Sequence, residues 1–402
     1  MAFSIPSLVK NFGPIQTIGT IAFITPLLTV YVPLSFSIIL PVSAVSALIL
    51  RATGGISEFR FERLSTSLLC GFLVLAGVSA FWSFAPYLTT DKIYRTIPSV
   101  IAGLVFITAV KGLNGKAAKT ISFCFLAGMC LALVLIITER IVGGMFVRYS
   151  SSDYHENIFF LNQFNRPMSI LSVLLWPAIV ILARRHWLLA LAAFCTFAVY
   201  LPFFINTSAI AALFVGALIF AVVYVLPKFG TLIVGLTMVT AVLLAPTINH
   251  SLPPPKELFE DYGLPRSTYH RLLIWEFTSE KIEERPLLGW GFNTSRAMPG
   301  REINIDKSEP ALPLHPHNAA LQWRLELGIL GALFGAGLIF VCAEMARRYA
   351  ADRLARAGAV ATIGGTFVIA MISFGAWQTW WLSGMFLIAG FTILVCRRPS
   401  PI

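Results

Sequence analysis

His317 and Arg271 are the residues whose type and setting best suit chemistry. His317 belongs to the run His315-Pro316-His317-Asn318, which leads straight into an apolar segment opening AALQWRLELGILGA, and Arg271 sits in RSTYHRLLIWEFTSEKIEERPLLGWGF. An imidazole that is neutral near pH 7 can take a proton from a hydroxyl group. An arginine fork meets phosphate oxygens bidentately and needs no metal to do so. Arg266, Arg324, Asn318 and Trp290 accompany these two runs, while Arg166 and Ser208 stand earlier in the chain at the mouths of apolar segments. No aspartate-rich motif joins them, so the expected chemistry uses no metal or other cofactor, and a nucleotide-sugar enzyme dependent on a divalent ion is disfavoured.

The elements that position these groups are legible from periodicity. Ser267 suits a helix N-cap, and Pro286 with Gly289 stops the helix after about five turns. At about 100° per residue, Ile274, Trp275, Phe277, Thr278 and Ile282 fall on one arc, and Glu276, Ser279, Glu280 and Glu283 on the other. Arg271 lies within the apolar arc, so it points at whatever the helix covers. The glycines of Gly289-Trp290-Gly291-Phe292-Asn293 permit a tight turn. Trp290 beside them has two open readings, a platform for a sugar ring and an interfacial anchor.

His317, at the mouth of the next span, is expected to share a helical face with Leu321, Arg324 and Gly328, placing an imidazole above a cation. His315 is expected to point elsewhere, binding an acceptor or capping the loop. The competing readings are an interface or capping histidine, and an Arg324 paired structurally with Glu326 or Glu139.

Mean hydropathy is +0.79, with 57% hydrophobic and 12% charged residues, which places the chain among polytopic membrane proteins. The expected fold is all-α with about twelve spans, near 16–32, 34–50, 65–84, 96–110, 118–138, 167–183, 187–204, 207–227, 229–246, 318–343, 357–374 and 376–396. The chain then divides into helices 1–9 (residues 1–246), an outer loop with an amphipathic helix (247–317) and helices 10–12 with a tail (318–402). Lys10 precedes the first span without a cleavage site, so that span reads as an uncleaved helix. With the N-terminus inside, most basic residues fall on the cytoplasmic side. Only Lys92, Arg95, Arg140, Arg148 and Arg166 fall outside apart from the long loop. The net charge of +11 follows from this bias and calls for no nucleic-acid partner. The six cysteines lie in or at spans without ligand-like spacing and read as core residues.

Residues 1–138 carry almost nothing polar and read as scaffold. Arg166, between Asn165 and Pro167 at the start of the sixth span, is either a snorkelling arginine or an anion ligand. Asn206, Thr207 and Ser208 interrupt the apolar run between spans seven and eight, where they can satisfy backbone groups freed near Pro202. Pro253-Pro254-Pro255 makes a stiff exit into the long loop.

In these residues the chain resembles the O-antigen ligase and polymerase superfamily, most closely the lipopolysaccharide O-antigen ligases. The resemblance rests on the span layout, the large outer loop, RLLIW, the ERPLLGWGF turn, and HPHN followed by LELGILG. It implies a membrane-embedded, metal-independent, inverting glycosyltransferase of the GT-C type. Such an enzyme moves a glycan from undecaprenyl pyrophosphate to an acceptor, lipid A-core in the ligases, on the periplasmic face of the bacterial inner membrane. Arg271 matches the family arginine before tryptophan, and His317 the family histidine before asparagine. A second family arginine follows a serine corresponding to Ser208, but Ala209 stands there, and Arg166 is the best substitute.

Two other functions fit less well. A polymerase joining carrier-linked repeats would use the same residues with a different acceptor. A lipid or glycan transporter without chemistry would be expected to carry ionisable groups near the midplane, which the spans before the tenth and those after it lack.

Overall fold

In hydrocarbon a chain must satisfy its own backbone N–H and C=O groups, and apolar runs of this length therefore fold as helices. The computed structural model describes residues 14–56, 58–146, 163–204, 206–306 and 309–398. Lys10 and Arg148 lie outside the described residues.

All twelve apolar stretches fall on helices: α1 (Pro14–Tyr31), α2 (Phe36–Ala52), α3 (Arg63–Val78), α4 (Pro86–Gly112), α5 (Gly115–Ile141), α6 (Asn165–Arg185), α7 (Trp187–Tyr200), α8 (Thr207–Val225), α9 (Pro227–Leu243), α13 (Ala319–Tyr349), α14 (Arg353–Ile372) and α15 (Thr379–Cys396). Among the described residues, ten segments are long and apolar enough to cross a membrane. Ile15–Tyr31 and Pro227–Leu243 are apolar but shorter. The loop between α9 and α13 carries α10 (Ala245–His250), α11 (Pro255–Tyr262), α12 (Arg266–Glu284) and a small antiparallel pair, β1 (Asn304–Asp306) with β2 (Glu309–Pro310).

Small polar residues inside the spans do not break them. Thr25, Thr29, Ser43, Thr362 and Thr392 are buried, and each donates its hydroxyl to the carbonyl four residues back. The most enclosed span is α6, which packs against α7, α8, α14 and α15. Close approach is made possible by missing side chains: a Cβ on Gly358 would stand 2.2 Å from Val180, and one on Gly216 would stand 2.6 Å from Trp176.

The loop has a core of its own. Ile274, Ile282, Trp290, Met298, Leu312, Leu321 and Leu325 pack together and seat α12 on the first turns of α13. Two details of α12 differ from the sequence reading. It begins at Arg266 after Pro265, not after a Ser267 cap. Ser279, expected on the outer arc, is buried, where it accepts a hydrogen bond from Asn249 Nδ2 at 3.2 Å as α10 folds back over it.

The LELGILG run is not a continuous helix. Gly328 has φ 62° and ψ −154°, which breaks α13 and frees backbone groups within the span. The ERPLLGWGF turn fills the break: Trp290 N–H donates to Leu325 O at 2.9 Å, Gly291 N–H to Glu326 O at 2.8 Å, and Ile329 N–H to Pro286 O at 3.0 Å. Glycine is required on both sides. A Cβ on Gly328 would lie 2.1 Å from Leu287 O, and one on Gly289 (φ 68°) would lie 2.5 Å from the Glu326 backbone. Two stretches that read as separate motifs are thus one interlock.

Candidate functional site

The site lies where α4, α6, α8, α13 and α15 begin and α14 ends, beneath α12. Asn318 is the N-cap of α13, its Oδ1 accepting Leu321 N–H at 3.1 Å. His317 therefore precedes the helix, with φ 55°, and does not share a helical face with Arg324 as expected. A capped helix start and a left-handed residue before it turn the imidazole away from that face, toward the loop after α14. There His317 Nδ1 lies 2.6 Å from the carbonyl oxygen of Ser373. A carbonyl can only accept, so Nδ1 carries the proton and Nε2 of the neutral ring is left as the open acceptor. This is the state a general base needs.

His315 does not point elsewhere. Its ring centroid is 4.2 Å from that of His317, and its Nδ1 accepts His317 N–H at 3.2 Å. Pro316 turns the chain sharply enough to bring the two rings together, and Trp275 Nε1 donates to Pro316 O at 2.8 Å, tying α12 to the turn. His315 is buried against Gly375, where a Cβ would come within 2.7 Å of its ring. Burial, with His317 and Arg296 nearby, pushes its pKa down to about 3.

Arg271 is half-buried on the face of α12 turned inward, and no hydrogen bond or ion pair holds it among the described residues. Burial lowers its pKa. Its charge also acts on His317, whose pKa is lowered chiefly by burial and further by Arg271 and His270, against the Ser373 hydrogen bond, which raises it. The cation that favours the neutral imidazole is thus Arg271, not Arg324. His270, which the sequence reading passed over although it adjoins Arg271, has an enclosed Nε2 with no hydrogen-bond partner among the described residues.

Arg166 is exposed at the start of α6, its guanidinium 5.6 Å from the ring centre of Trp380. Trp380 Nε1 donates to Gln378 Oε1 at 3.1 Å, and the Gln378 amide lies 3.2 Å from His315 Nε2. A chain of contacts therefore runs from Arg166 to the histidine pair. The start of α6 is tied to that of α8, where Asn206 Nδ2 donates to Asn165 O at 2.7 Å. Ala209, fully buried in the core, leaves no room for an arginine, and Arg166 stands on the helix end joined to it.

Other candidates are placed differently. Trp290 is not a sugar platform: it is buried, its Nε1 donates to Lys281 O at 2.8 Å, and Arg285 lies 4.2 Å over its ring. Ser208 is buried beneath the Asn206 cap. Arg266 is exposed, about 140° around α12 from Arg271 at 100° per residue. Arg324 is half-buried without an ion pair to Glu326, and its Nε has no hydrogen-bond partner among the described residues. Glu326 is instead enclosed by donors from Asn293, Ser295, Gln322 and Trp377, and Glu139 is fully buried. Among the described residues no three His, Cys, Asp or Glu side chains gather as a metal-holding group. A groove of about 600 Å³ opens at the opposite end, between α3, α9 and α13, near Lys228 and Arg348, and contains none of the groups above.

Comparison with known proteins matches a stretch that contains some of these groups. Residues 170–335 match the family model described as O-Antigen ligase, a segment that includes Arg271, His315, His317 and Arg324 but not Arg166. The chain is 31% identical over 269 residues to the "Putative polysaccharide ligase" of Rickettsia conorii, over 62% of this chain and 63% of that protein. Proteins of the same name from Rickettsia felis and Rickettsia prowazekii are each 32% identical, over 62% of this chain and 64% of theirs. The chain thus spans a little under two thirds of the length of the curated relatives it matches. The family segment and these relatives support the O-antigen ligase superfamily.

Proposed function

We propose that this multi-pass membrane protein, with its O-antigen ligase family segment, transfers an O-antigen glycan from undecaprenyl pyrophosphate to lipid A-core. The reaction would take place on the periplasmic face of the bacterial inner membrane and complete lipopolysaccharide. The observation that carries the reading is the hydrogen bond from His317 Nδ1 to the Ser373 carbonyl within reach of the Arg271 charge. Nε2 of His317 takes the proton of the acceptor hydroxyl as its oxygen attacks the anomeric carbon. The bond from that carbon to the pyrophosphate oxygen breaks, and undecaprenyl pyrophosphate leaves with the bonding electrons. One displacement of this kind inverts the anomeric centre. Arg271, with Arg166, meets the charge that grows on the leaving phosphate, and preorganised cations of this kind favour the transition state over the ground state. The chain's own groups suffice for these steps, so the transfer is proposed to be metal-independent.

A strain lacking the protein tests the reading through its surface glycolipids. Free lipid A-core beside accumulated carrier-linked long chains supports the ligase. Core capped with a single repeat would instead indicate a polymerase acting on another carrier-linked glycan.

A further inference from the structure

Glu326 takes no part in the proposed transfer steps, although a carboxylate inside a membrane helix is costly unless donors fill its oxygens, and calls for a role. It is fully buried beside the break in α13. Oε2 accepts Asn293 N–H and Trp377 Nε1–H, each at 2.5 Å, and Oε1 accepts Ser295 Oγ–H at 2.5 Å and Gln322 Nε2–H at 3.0 Å. Two of these partners lead to one short segment, the loop 373–378 between α14 and α15. Trp377 belongs to it, and Gln322 reaches it with its other end, Oε1 accepting Ala376 N–H at 2.8 Å.

The same loop seats the histidine pair. Ser373, where it begins, presents the carbonyl that holds His317 Nδ1 at 2.6 Å, and Gln378, where it ends, places an amide nitrogen 3.2 Å from His315 Nε2. Ala376 and Trp377, the residues tied to Glu326, lie between these contacts. The tie through Gln322 has a direction. An ionised carboxylate can only accept, so Gln322 turns its NH2 toward Glu326 and its oxygen toward Ala376. A glutamine at 326 would reverse this. Its oxygen would stay with Asn293 N–H and Trp377 Nε1–H, which can only donate, and its NH2 would face Gln322, whose amide must then turn over and release Ala376.

We propose that Glu326 is a positioning residue for the transfer: through Gln322 and Trp377 it holds loop 373–378 where the Ser373 carbonyl orients the His317 imidazole. This rests on His317 acting as the base in the reaction proposed above. The charged and titratable groups that face His317 are Arg271 and His270 of α12, with His315 beside it. Glu326 reaches it through the loop.

The pH dependence of His317 modification by diethyl pyrocarbonate tests this, because the reagent attacks the neutral imidazole and peptide mass spectrometry reads the product without turnover. The full chain in nanodiscs is used, and kcat and donor KM are measured on the same preparations. The Ser373 contact favours the imidazolium, so loosening it should lower the midpoint of modification. Glu326→Gln, Gln322→Leu and Trp377→Phe should each move the midpoint down by about half a pH unit and lower kcat roughly 10-fold, with donor KM within about twofold of wild type. Trp377→Phe keeps a ring against Phe72 while removing the N–H, so it serves if the other variants do not fold. Ser295→Ala removes a Glu326 donor outside the loop and should leave the midpoint at the wild-type value. Unchanged midpoints in the first three variants, or an equal fall in Ser295→Ala, would overturn the positioning role. Absence of product from wild-type protein would remove the transfer reading, and the modification midpoints would still decide whether Glu326 sets the state of His317.

Discussion

His317 Nδ1 and the carbonyl oxygen of Ser373 lie 2.6 Å apart, although 56 residues separate them in the chain. This contact joins the loop before α13 to the end of α14 and fixes which nitrogen of the imidazole is open. Because the partner is a backbone carbonyl, the tautomer does not depend on the protonation of another side chain.

The pH dependence follows from the direction of the His317 shift. Burial, Arg271 and His270 lower its pKa from 6.5, so the neutral base persists below that value and is lost only as pH falls through the lowered pKa. His315, pushed down to about 3, stays neutral throughout this range. The acidic limb of kcat/KM should therefore show a single ionisation with its midpoint below 6.5. A midpoint above 6.5, or a limb steeper than one proton, would contradict the assignment.

The two histidines should separate on substitution. His315→Ala removes a ring that packs on His317 and accepts its backbone N–H, and it should reduce turnover while leaving it measurable. His317→Ala should lower turnover by roughly 10²–10⁴-fold, the range typical of a lost general base. Parallel measurements of kcat with fluorescently labelled donor decide the matter, and a more active His317→Ala than His315→Ala would exchange their roles.

Arg271→Lys keeps the charge but not the fork. It should lose about 100-fold in kcat at normal protein level, comparable to loss of one oxyanion donor. Near wild-type kcat in the lysine variant would refute phosphate contact by Arg271.

Arg166 is held over Trp380, which positions it where a lysine stem would not stack as well. Arg166→Ala and Arg166→Lys should both slow transfer. If Arg166→Lys transfers at the wild-type rate while Arg166→Ala also changes little, Arg166 is a snorkelling residue alone.

The break in α13 has a structural test. Gly328→Ala adds backbone strain of about 1–3 kcal/mol at a positive φ and drives a Cβ to within 2.1 Å of Leu287 O. It should lower the unfolding temperature of the detergent-solubilised protein. Gly337→Ala in the same helix, with its nearest contact at 3.6 Å, should leave it nearly unchanged. Equal temperatures for the two variants would show that the interlock contributes little.

Spans, loop and the inward face of α12 were legible because each is written in a short-range period, 3.6 residues for a helix and about twenty for a crossing. Arg271 stood out for the same reason, as a charge on an apolar arc. What could not be read was long-range. Nothing in HPHN announces that His317 adopts φ 55° and reaches Ser373, since extending the helical period backward through the Asn318 cap put the imidazole over Arg324 instead. Trp290 looked like a surface aromatic because the partner that encloses it, the break at Gly328, lies in a stretch that reads as continuous helix.

The most direct test combines transfer and binding in one purified preparation. Wild-type and His317→Ala protein in nanodiscs are supplied with undecaprenyl-pyrophosphate-linked glycan and lipid A-core, and glycolipid product and donor affinity are both measured. Product is expected from the wild type, little or none from His317→Ala, and the same donor affinity for both, because donor binding rests on the arginines. Product formed by His317→Ala at the wild-type rate would show that transfer proceeds without a histidine base and that His317 is not the group that takes the acceptor proton.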